Sequence, residues 1–394
     1  LASGRATIGA SALPVQLRGR GMHGPPFPVV DADAHILEGQ DLFDHYLPPA
    51  FRHRAPRLVT DERGGRRMLY EGRLLPPFPV GEQASWGMPE PPAARLALMD
   101  AEGIDAMVLF PSKATFFPAG ADAGLALALV RAYNDYLADF CRAAPQRLLG
   151  VALVALHDVE AAIAEARRAV ALGLRAVMVR PNPLRGRRLD DPAYFPFYAA
   201  IEELGVPLIV HETTGVLPTA GADRYGVDRP DQYAFTHLIS HPFEQMLAVL
   251  ALIGGGVLER FPRLRVGFFE AGCGWLPYWL WRMDEHFEHP ALRPQFAGLA
   301  LRPSEYFRRQ CFATCEPEEV TVPAAVAALG SDKILLASDL PHYDSRRGAL
   351  YAFWAEAPLP EPVKRRLLGE NAIAFYGLDA GPLRELAAAR AAQP

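Results

Sequence analysis

The chain has 394 residues, 50% of them hydrophobic and 22% charged, with a formal net charge of −5. This is ordinary globular composition with ample length for one large core, and it carries no basic stripe for nucleic acid and no polybasic helix for a membrane surface. No stretch supplies the roughly 20 charge-free apolar residues that a spanning helix needs, and the four cysteines (141, 273, 311 and 315) lack a Cys-x-x-Cys pair, which suits reduced thiols in a cytoplasmic protein.

Residues 1–28 show no regular periodicity and are expected to form a flexible or wrapping arm. The first regular element is the run Val29-Val30-Asp31-Ala32-Asp33-Ala34-His35, a short apolar stretch that ends in acids and a histidine. It suits a buried strand. Asp33 and His35 are two apart and so share one face of that strand, where a carboxylate and an imidazole can grip a divalent metal from one side. The plainer reading is a strand ending in an Asx turn, with His35 a hydrogen-bonded core histidine.

Residues 36–103 follow as a long insertion, rich in Pro and Arg, with a small hairpin expected around Glu71-Gly72. A loop of this length is expected either to cover a pocket, with Phe78, Trp86 and Arg73 as covering side chains, or to make oligomer contacts. A helix from Pro92 then leads into an apolar strand at 104–111. The alternation repeats: helices at 124–143, 159–172, 194–204, 243–260, 303–308 and 322–329 precede strands at 148–154, 176–180, 207–212, 265–270, 311–316 and 334–339. With the first strand this makes eight nearly continuous apolar strands between amphipathic helices. That pattern predicts an α/β fold, a (β/α)8 TIM barrel spanning 29–378, with the 36–103 insertion after its first strand and a helical tail at 379–394. A doubly wound open sheet is the alternative, but it would carry a glycine-rich turn after the first strand, and the residues following His35 are not one.

In such a barrel chemistry sits at the carboxyl ends of the strands. Those ends carry Asp33 and His35, Arg180, His211 with Glu212, Glu270, Glu316 and Asp339. Asp33, His35, His211 and Asp339 make a mixed nitrogen and oxygen set suited to zinc, manganese or iron. His241 is expected either as an acid–base group of the pocket or as a first-turn residue of a helix capped by Ser240. Glu38 is placed to hold the His35 ring, to touch the metal or to form a rim salt bridge. His342 is placed behind Asp339 or as a brace of its loop, and Arg180 as a clamp on a substrate carboxylate or a partner of Glu212 or Glu270. The aromatic run 275–281 is expected to pack helices or a subunit contact.

Three stretches together resemble the amidohydrolase-related family, in the branch that includes aminocarboxymuconate semialdehyde decarboxylase and γ-resorcylate decarboxylase. They are Asp33-Ala34-His35 with Val210-His211, the run from Gly255 through Glu-Arg-Phe-Pro-Arg-Leu and Glu270 to Pro277, and Ser338-Asp339-Leu340-Pro341-His342. The resemblance covers about 29 to 378. It implies a metal held by Asp33, His35, His211 and Asp339. It also marks two departures: the first-strand pair is Asp-x-His where His-x-His or Glu-x-His is commoner, and the strand-six position, often a catalytic histidine, is Glu270. The bridging lysine of binuclear amidohydrolases has no counterpart, since strand four offers Arg180.

The expected function is a metal-dependent hydrolase or decarboxylase-like lyase acting on a small organic acid, cytoplasmic and homo-oligomeric. Asp339 would hold metal or water, and Glu270 or His241 would move the proton. If Glu270 instead ligates a second metal, a dinuclear iron or manganese oxygenase is the alternative. A non-catalytic partner subunit is the third reading.

Overall fold

Val30–Ile36 forms a strand, β1, in which every residue is buried. The computed structural model describes residues 24–62, 66–75, 90–212, 233–296 and 298–392. Three short strands, β2 (Arg57–Thr60), β3 (Arg66–Tyr70) and β4 (Arg73–Leu74), form a small antiparallel sheet within the insertion. Seven further strands follow: β5 (Ala106–Pro111), β6 (Leu148–Leu153), β7 (Ala176–Val179), β8 (Leu208–His211), β9 (Val266–Phe269), β10 (Cys311–Cys315) and β11 (Ile334–Leu336). With β1 they pair in parallel in the order β1-β5-β6-β7-β8-β9-β10-β11.

The two ends of that sheet meet. His35 N–H donates to the Leu340 carbonyl at 2.7 Å and Asp339 N–H to the Asp33 carbonyl at 3.0 Å. Asp31, fully buried on β1, accepts from the backbone N–H and the hydroxyl of Ser338 across the same seam. The sheet is therefore a closed eight-stranded barrel with helices outside, the expected (β/α)8 architecture. Its strands read as continuous apolar runs because both faces are covered, by the barrel interior and by the helices.

Helix entry is set by local chemistry. Asp122 and Asp158 accept from the N–H groups of Leu125 and Ala161 and so cap the helices Ala123–Cys141 and Val159–Ala171. One helix departs from expectation. The helix after β8 is already under way at Tyr233 and runs to Val249, with Pro242 inside it rather than at its start. Proline is favoured in a first turn, which is why the sequence suggested a start at 243. Here its missing N–H deprives only the Leu238 carbonyl, on a face 70% exposed, where solvent can replace the lost bond.

The hairpin expected around Glu71-Gly72 is present as β3–β4, with both turn residues at positive φ (47° and 76°). It docks on the segment after β5: the Tyr70 hydroxyl donates to the Phe117 carbonyl, and Glu71 accepts from the Ala121 and Asp122 N–H groups. This part of the insertion therefore sits at the carboxyl end of the barrel. Phe78 and Trp86 lie outside the described residues, as do positions 1–23 of the arm. At the opposite end, Arg390 of the helix Ala380–Ala391 donates to the Pro25 and Phe27 carbonyls and pairs with Asp105, tying the tail to the start of the chain. Among the described residues no helix is long and apolar enough to cross a membrane.

Candidate metal centre

Four side chains meet at the carboxyl-terminal mouth of the barrel. Asp33 and His35 come from β1, where a shift of register between Asp31 and Ala34 kinks the strand. Such bulges re-aim side chains beside active sites. His211 is the last residue of β8, and Asp339 stands three residues beyond β11. His35 Nε2 lies 3.6 Å from Asp33 Oδ1 and 3.1 Å from Asp339 Oδ1, and His211 Nε2 lies 3.6 Å from Asp33 Oδ2. Phe110 of β5 stacks on the His211 ring, centroids 5.0 Å apart, and floors the site.

The hydrogen bonds behind the rings fix their tautomers. His35 Nδ1 contacts the Pro111 carbonyl at 2.8 Å, and His211 Nδ1 the Glu212 carbonyl at 2.8 Å. A carbonyl oxygen only accepts, so each Nδ1 carries a hydrogen; without a cation at the centre, a proton on Nε2 is what the carboxylates favour at His211, and in the neutral ring each Nε2 presents a lone pair to the centre. There it faces carboxylate oxygens, acceptor against acceptor. His35 Nε2, His211 Nε2 and Asp33 Oδ1 are buried atoms without a hydrogen-bond partner, and Asp339 Oδ1 beside them is met by the His342 ring at 2.8 Å. Buried polar atoms are rarely left so, and three such orphans with the Asp339 carboxylate, all aimed at one point, fit a cation. The spacing agrees: two donors about 2.1 Å from one ion are about 3.0 Å apart at right angles and about 3.4 Å apart in a tetrahedron.

Glu270 enters the same cluster. It directly follows β9 with φ of 59°, its N–H donating to Thr314 Oγ1 at 3.1 Å. Its Oε2 is 3.0 Å from His211 Nε2 and its Oε1 is 3.5 Å from His241 Nε2. Glu319 holds the turn that aims it, accepting from the Cys273 N–H at 3.0 Å and the Gly274 N–H at 2.7 Å. Gly272 is needed there, at φ of 63°, since a Cβ would lie 3.1 Å from the Glu319 carboxylate. Gln245 spans the strand ends behind the site, donating to the Val210 and Phe269 carbonyls, both at 2.9 Å.

The charges are strongly coupled. Burial pushes the Asp33 carboxyl up. Burial alone would lower His211, but Glu270 and Asp33 outweigh it and hold the ring well above the usual imidazole range. Against the same burial, His211 and His241 keep Glu270 well below the usual carboxylate range, and His342 and His35 bring Asp339 down to about 2. Burial, with the His241 ring beside it, lowers His237 to about 4.

The other expected residues take distinct places. His342 Nδ1 is 2.8 Å from Asp339 Oδ1, its Nε2 meets Ser112 Oγ at 3.1 Å, and its ring lies on that of His35 with centroids 3.9 Å apart. Arg180 is buried at the end of β7 and donates to Asn182 Oδ1 and to the Thr115 carbonyl, with Glu212 at 3.5 Å. Glu38 departs from expectation. Its carboxylate accepts from the N–H groups of Ser112, Lys113 and Ala114 at 3.0, 2.8 and 3.2 Å, so it folds the segment after β5 rather than holding the His35 ring. His241 is not a first-turn residue capped by Ser240. It stands mid-helix, with Nδ1 3.1 Å from the His237 carbonyl. Glu316 lies one residue past β10 and is exposed. Sequence reading missed His237, Gln245 and Glu319. Only His237 left a signal, standing four residues before His241.

Residues 30–378 match the family described as amidohydrolase. A 2-amino-3-carboxymuconate-6-semialdehyde decarboxylase of Dictyostelium discoideum is 29% identical over 73% of this chain and 77% of its own. A gamma-resorcylate decarboxylase of Rhizobium sp. (strain MTP-10005) is 31% identical over 63% of this chain and 76% of its own. Among solved structures, an amidohydrolase from Mycobacterium avium subsp. paratuberculosis shares the fold with a TM-score of 0.75, at 22% identity over 89% of this chain and 99% of that one.

Proposed function

The chain belongs to the amidohydrolase family, and on that premise we propose that it is a metal-dependent carboxy-lyase acting on a small aromatic or similarly conjugated organic acid. The observation that carries the reading is the set of four donor atoms, from Asp33, His35, His211 and Asp339, converging at one barrel mouth, three of them without a hydrogen-bond partner. The relatives named as decarboxylases support the reaction class.

A divalent ion held there supplies Lewis acidity toward a substrate carboxylate and a hydroxyl beside it. The protein's part is to hold ligands and protons in place. The carbonyls of Pro111 and Glu212 lock His35 and His211 with Nε2 inward, and His342 does the same for Asp339. In decarboxylation the bond to the carboxyl carbon breaks, CO2 departs, and the electron pair left on the ring or chain carbon takes a proton. Glu270 and His241 flank the mouth together and are the groups assigned to holding that proton, directly or on a water between them. Arg180, anchored by Asn182 and Thr115, contributes positive potential for an anionic substrate rather than a direct clamp. Glu38 shapes the loop below.

A second reading, an oxygenase with two redox metals, is favoured by one observation: the two Glu270 oxygens face different histidines. We further place the protein in the cytoplasm, supported by four cysteines that are all free and buried. We place it in a homo-oligomer, supported by the exposed Leu238, Phe243, Tyr278 and Trp281, with light-scattering mass as the check.

The test is CO2 release from a panel of hydroxybenzoates and unsaturated dicarboxylates, measured alongside the decarboxylated product. The expected result is stoichiometric CO2, lost on chelation, restored by Mn(II) and absent in His211→Ala. Hydrolysis of an ester or amide without CO2, or oxygen consumption, would remove the lyase assignment.

A further inference from the structure

We propose that the loop after β7 holds a small monovalent anion of chloride size, in a cavity separate from the metal centre. The cavity measures about 30 Å3 and lies at the carboxyl ends of β6 and β7, where its polar lining is Arg180, Asn182, Arg187 and Tyr194. None of the four metal donors lines it.

Asn182 is 7% exposed, and Arg180 fixes its amide: Nε and Nη2 donate to Oδ1 at 3.2 and 2.8 Å. Turned the other way, the amide would set its NH2 against a guanidinium, donor against donor, so Oδ1 belongs on that side. Nδ2 is therefore presented away from Arg180, buried and without a hydrogen-bond partner. A buried donor is costly until something accepts from it. Arg187 adds positive charge at the rim; its side chain is half exposed, and its Nε stands 3.9 Å from Asp191 Oδ2, too far for a hydrogen bond. The walls are preformed. Leu184 and Arg187 exchange both backbone hydrogen bonds at 3.0 Å around Arg185 and Gly186, which have φ of 51° and 78°, and the two ends of this tight turn line the cavity. Arg185 Nη2 donates to the Ala121 carbonyl at 2.9 Å and so pins the turn to the segment after β5 that supplies Pro118 and Ala119 to the same wall.

Charge and size select the occupant. Two guanidinium groups and, among the described residues, no carboxylate line the cavity. Glu212 lies outside it, 3.5 Å from Arg180 Nη2, and takes up part of that charge, so Arg187 and the Asn182 amide carry the attraction. The acceptors among the lining side chains are Asn182 Oδ1, already engaged by Arg180, and the Tyr194 hydroxyl. A water needs acceptors for its two hydrogens, whereas an anion takes donors alone. The volume is roughly the share of one water molecule in the liquid, which admits a halide and excludes phosphate, sulfate or an aromatic acid. An anion there holds the Asn182 amide from the side opposite Arg180, and thereby steadies the residue that orients Arg180.

The experiment titrates chloride into the full-length protein at constant ionic strength, replacing methanesulfonate, which is too large for the cavity, and reads the quadrupolar broadening of the chloride NMR line. Saturable broadening is expected in the wild type. Asn182→Asp keeps the acceptor toward Arg180 and puts a negative charge where Nδ2 stood, so it should abolish the saturable part. Arg187→Gln changes a half-exposed side chain; it should melt as the wild type does in methanesulfonate and bind chloride roughly tenfold more weakly or worse. His211→Ala should bind chloride as the wild type does, which keeps this site separable from the metal reading. A strictly linear response in the wild type means that the cavity takes water only and overturns the proposal. Saturable broadening that survives unchanged in Arg187→Gln and in Asn182→Asp, or that is lost in His211→Ala, places the halide elsewhere and overturns it too.

Discussion

Glu270 and Asp339 adopt the same unusual backbone conformation, φ of 59° and 58°, and each brings a carboxylate oxygen to a histidine Nε2, at 3.0 Å and 3.1 Å. Left-handed backbone at a residue other than glycine costs on the order of 1–3 kcal/mol, and it persists where surrounding structure imposes it. The two strained carboxylates follow β9 and β11, on either side of β10, and their ligand atoms lie within 4.8 Å of each other, so the barrel holds both turns against that cost. Replacing Glu270 by glycine removes the strain and the donor together. In stripped protein, Glu270→Gly is expected to be as stable as the wild type or up to about 1 kcal/mol more stable. The rise in melting temperature that Mn(II) gives the wild type should shrink in the variant. Differential scanning calorimetry with and without Mn(II) measures both, and a large loss of stability without metal would make Glu270 a structural residue.

His342 contacts Asp339 and its ring covers His35, with a ring nitrogen within 4.8 Å of ligand atoms of His35, Glu270 and Asp339. Partners of this kind orient a ligand and typically change metal affinity about 10- to 100-fold. His342→Ala is therefore expected to weaken the Mn(II) site by that factor, with the number of bound ions unchanged at saturation. Competition against a chromophoric chelator reads the affinity directly. Unaltered affinity would reduce His342 to a brace of its loop through Ser112.

Much of this was legible in the sequence for a physical reason. Strands buried on both faces read as unbroken apolar runs, so polar residues at their ends stand out, and Asp33, His35, His211, Glu270 and Asp339 were found that way. What was not legible depends on how separate loops fold together. Glu38 lies three residues from His35, but its carboxylate is taken by the backbone of residues 112–114, a segment that nothing near Glu38 announces. His237 escaped because Pro242 suggested a helix starting at 243, and a helix that starts there has no turn containing 237. Glu319 acts on the turn after Glu270 from 45 or more residues away, entirely through backbone N–H groups that no side-chain pattern encodes.

Asp31 gives a pH prediction. Burial raises its carboxyl from 3.8 to about 7, against the lowering effect of the Ser338 hydrogen bonds. The folded state therefore prefers the proton. That contribution is complete below the unfolded value near 3.8 and is lost as pH rises toward about 7, beyond which a buried carboxylate stays ionised at a constant cost. A tenfold difference in proton affinity between the folded and unfolded chain is worth about 1.4 kcal/mol, so the loss is on the order of a few kcal/mol. Asp31→Asn keeps an acceptor and a donor toward Ser338 and removes the titration. In stripped protein the variant should gain stability relative to wild type between about pH 4 and pH 7, measured by urea unfolding at each pH. Parallel profiles for the two proteins would show that Asp31 titrates alike folded and unfolded.

Gln245 carries the last prediction. It is fully buried on the helix Tyr233–Val249, and its one amide nitrogen donates to the carbonyls of Val210 and Phe269. Those carbonyls belong to the residues immediately before His211 and Glu270. A single side chain thus sets the spacing of β8 and β9 just where each hands over its functional residue, and it does so from the same helix that carries His237 and His241. Gln245→Leu keeps similar volume but leaves two buried carbonyls without a donor, at roughly 1–3 kcal/mol each. The expected outcome is a stability loss on that order together with weaker Mn(II) binding, because His211 and Glu270 share the disturbed strand ends. Gln245→Glu sharpens the test, since it places an acceptor against two acceptors and should be worse than leucine in both measurements when ionised. If both variants lose stability but bind Mn(II) as the wild type does, Gln245 supports the barrel alone and the spacing of β8 and β9 is held by the strand pairing itself.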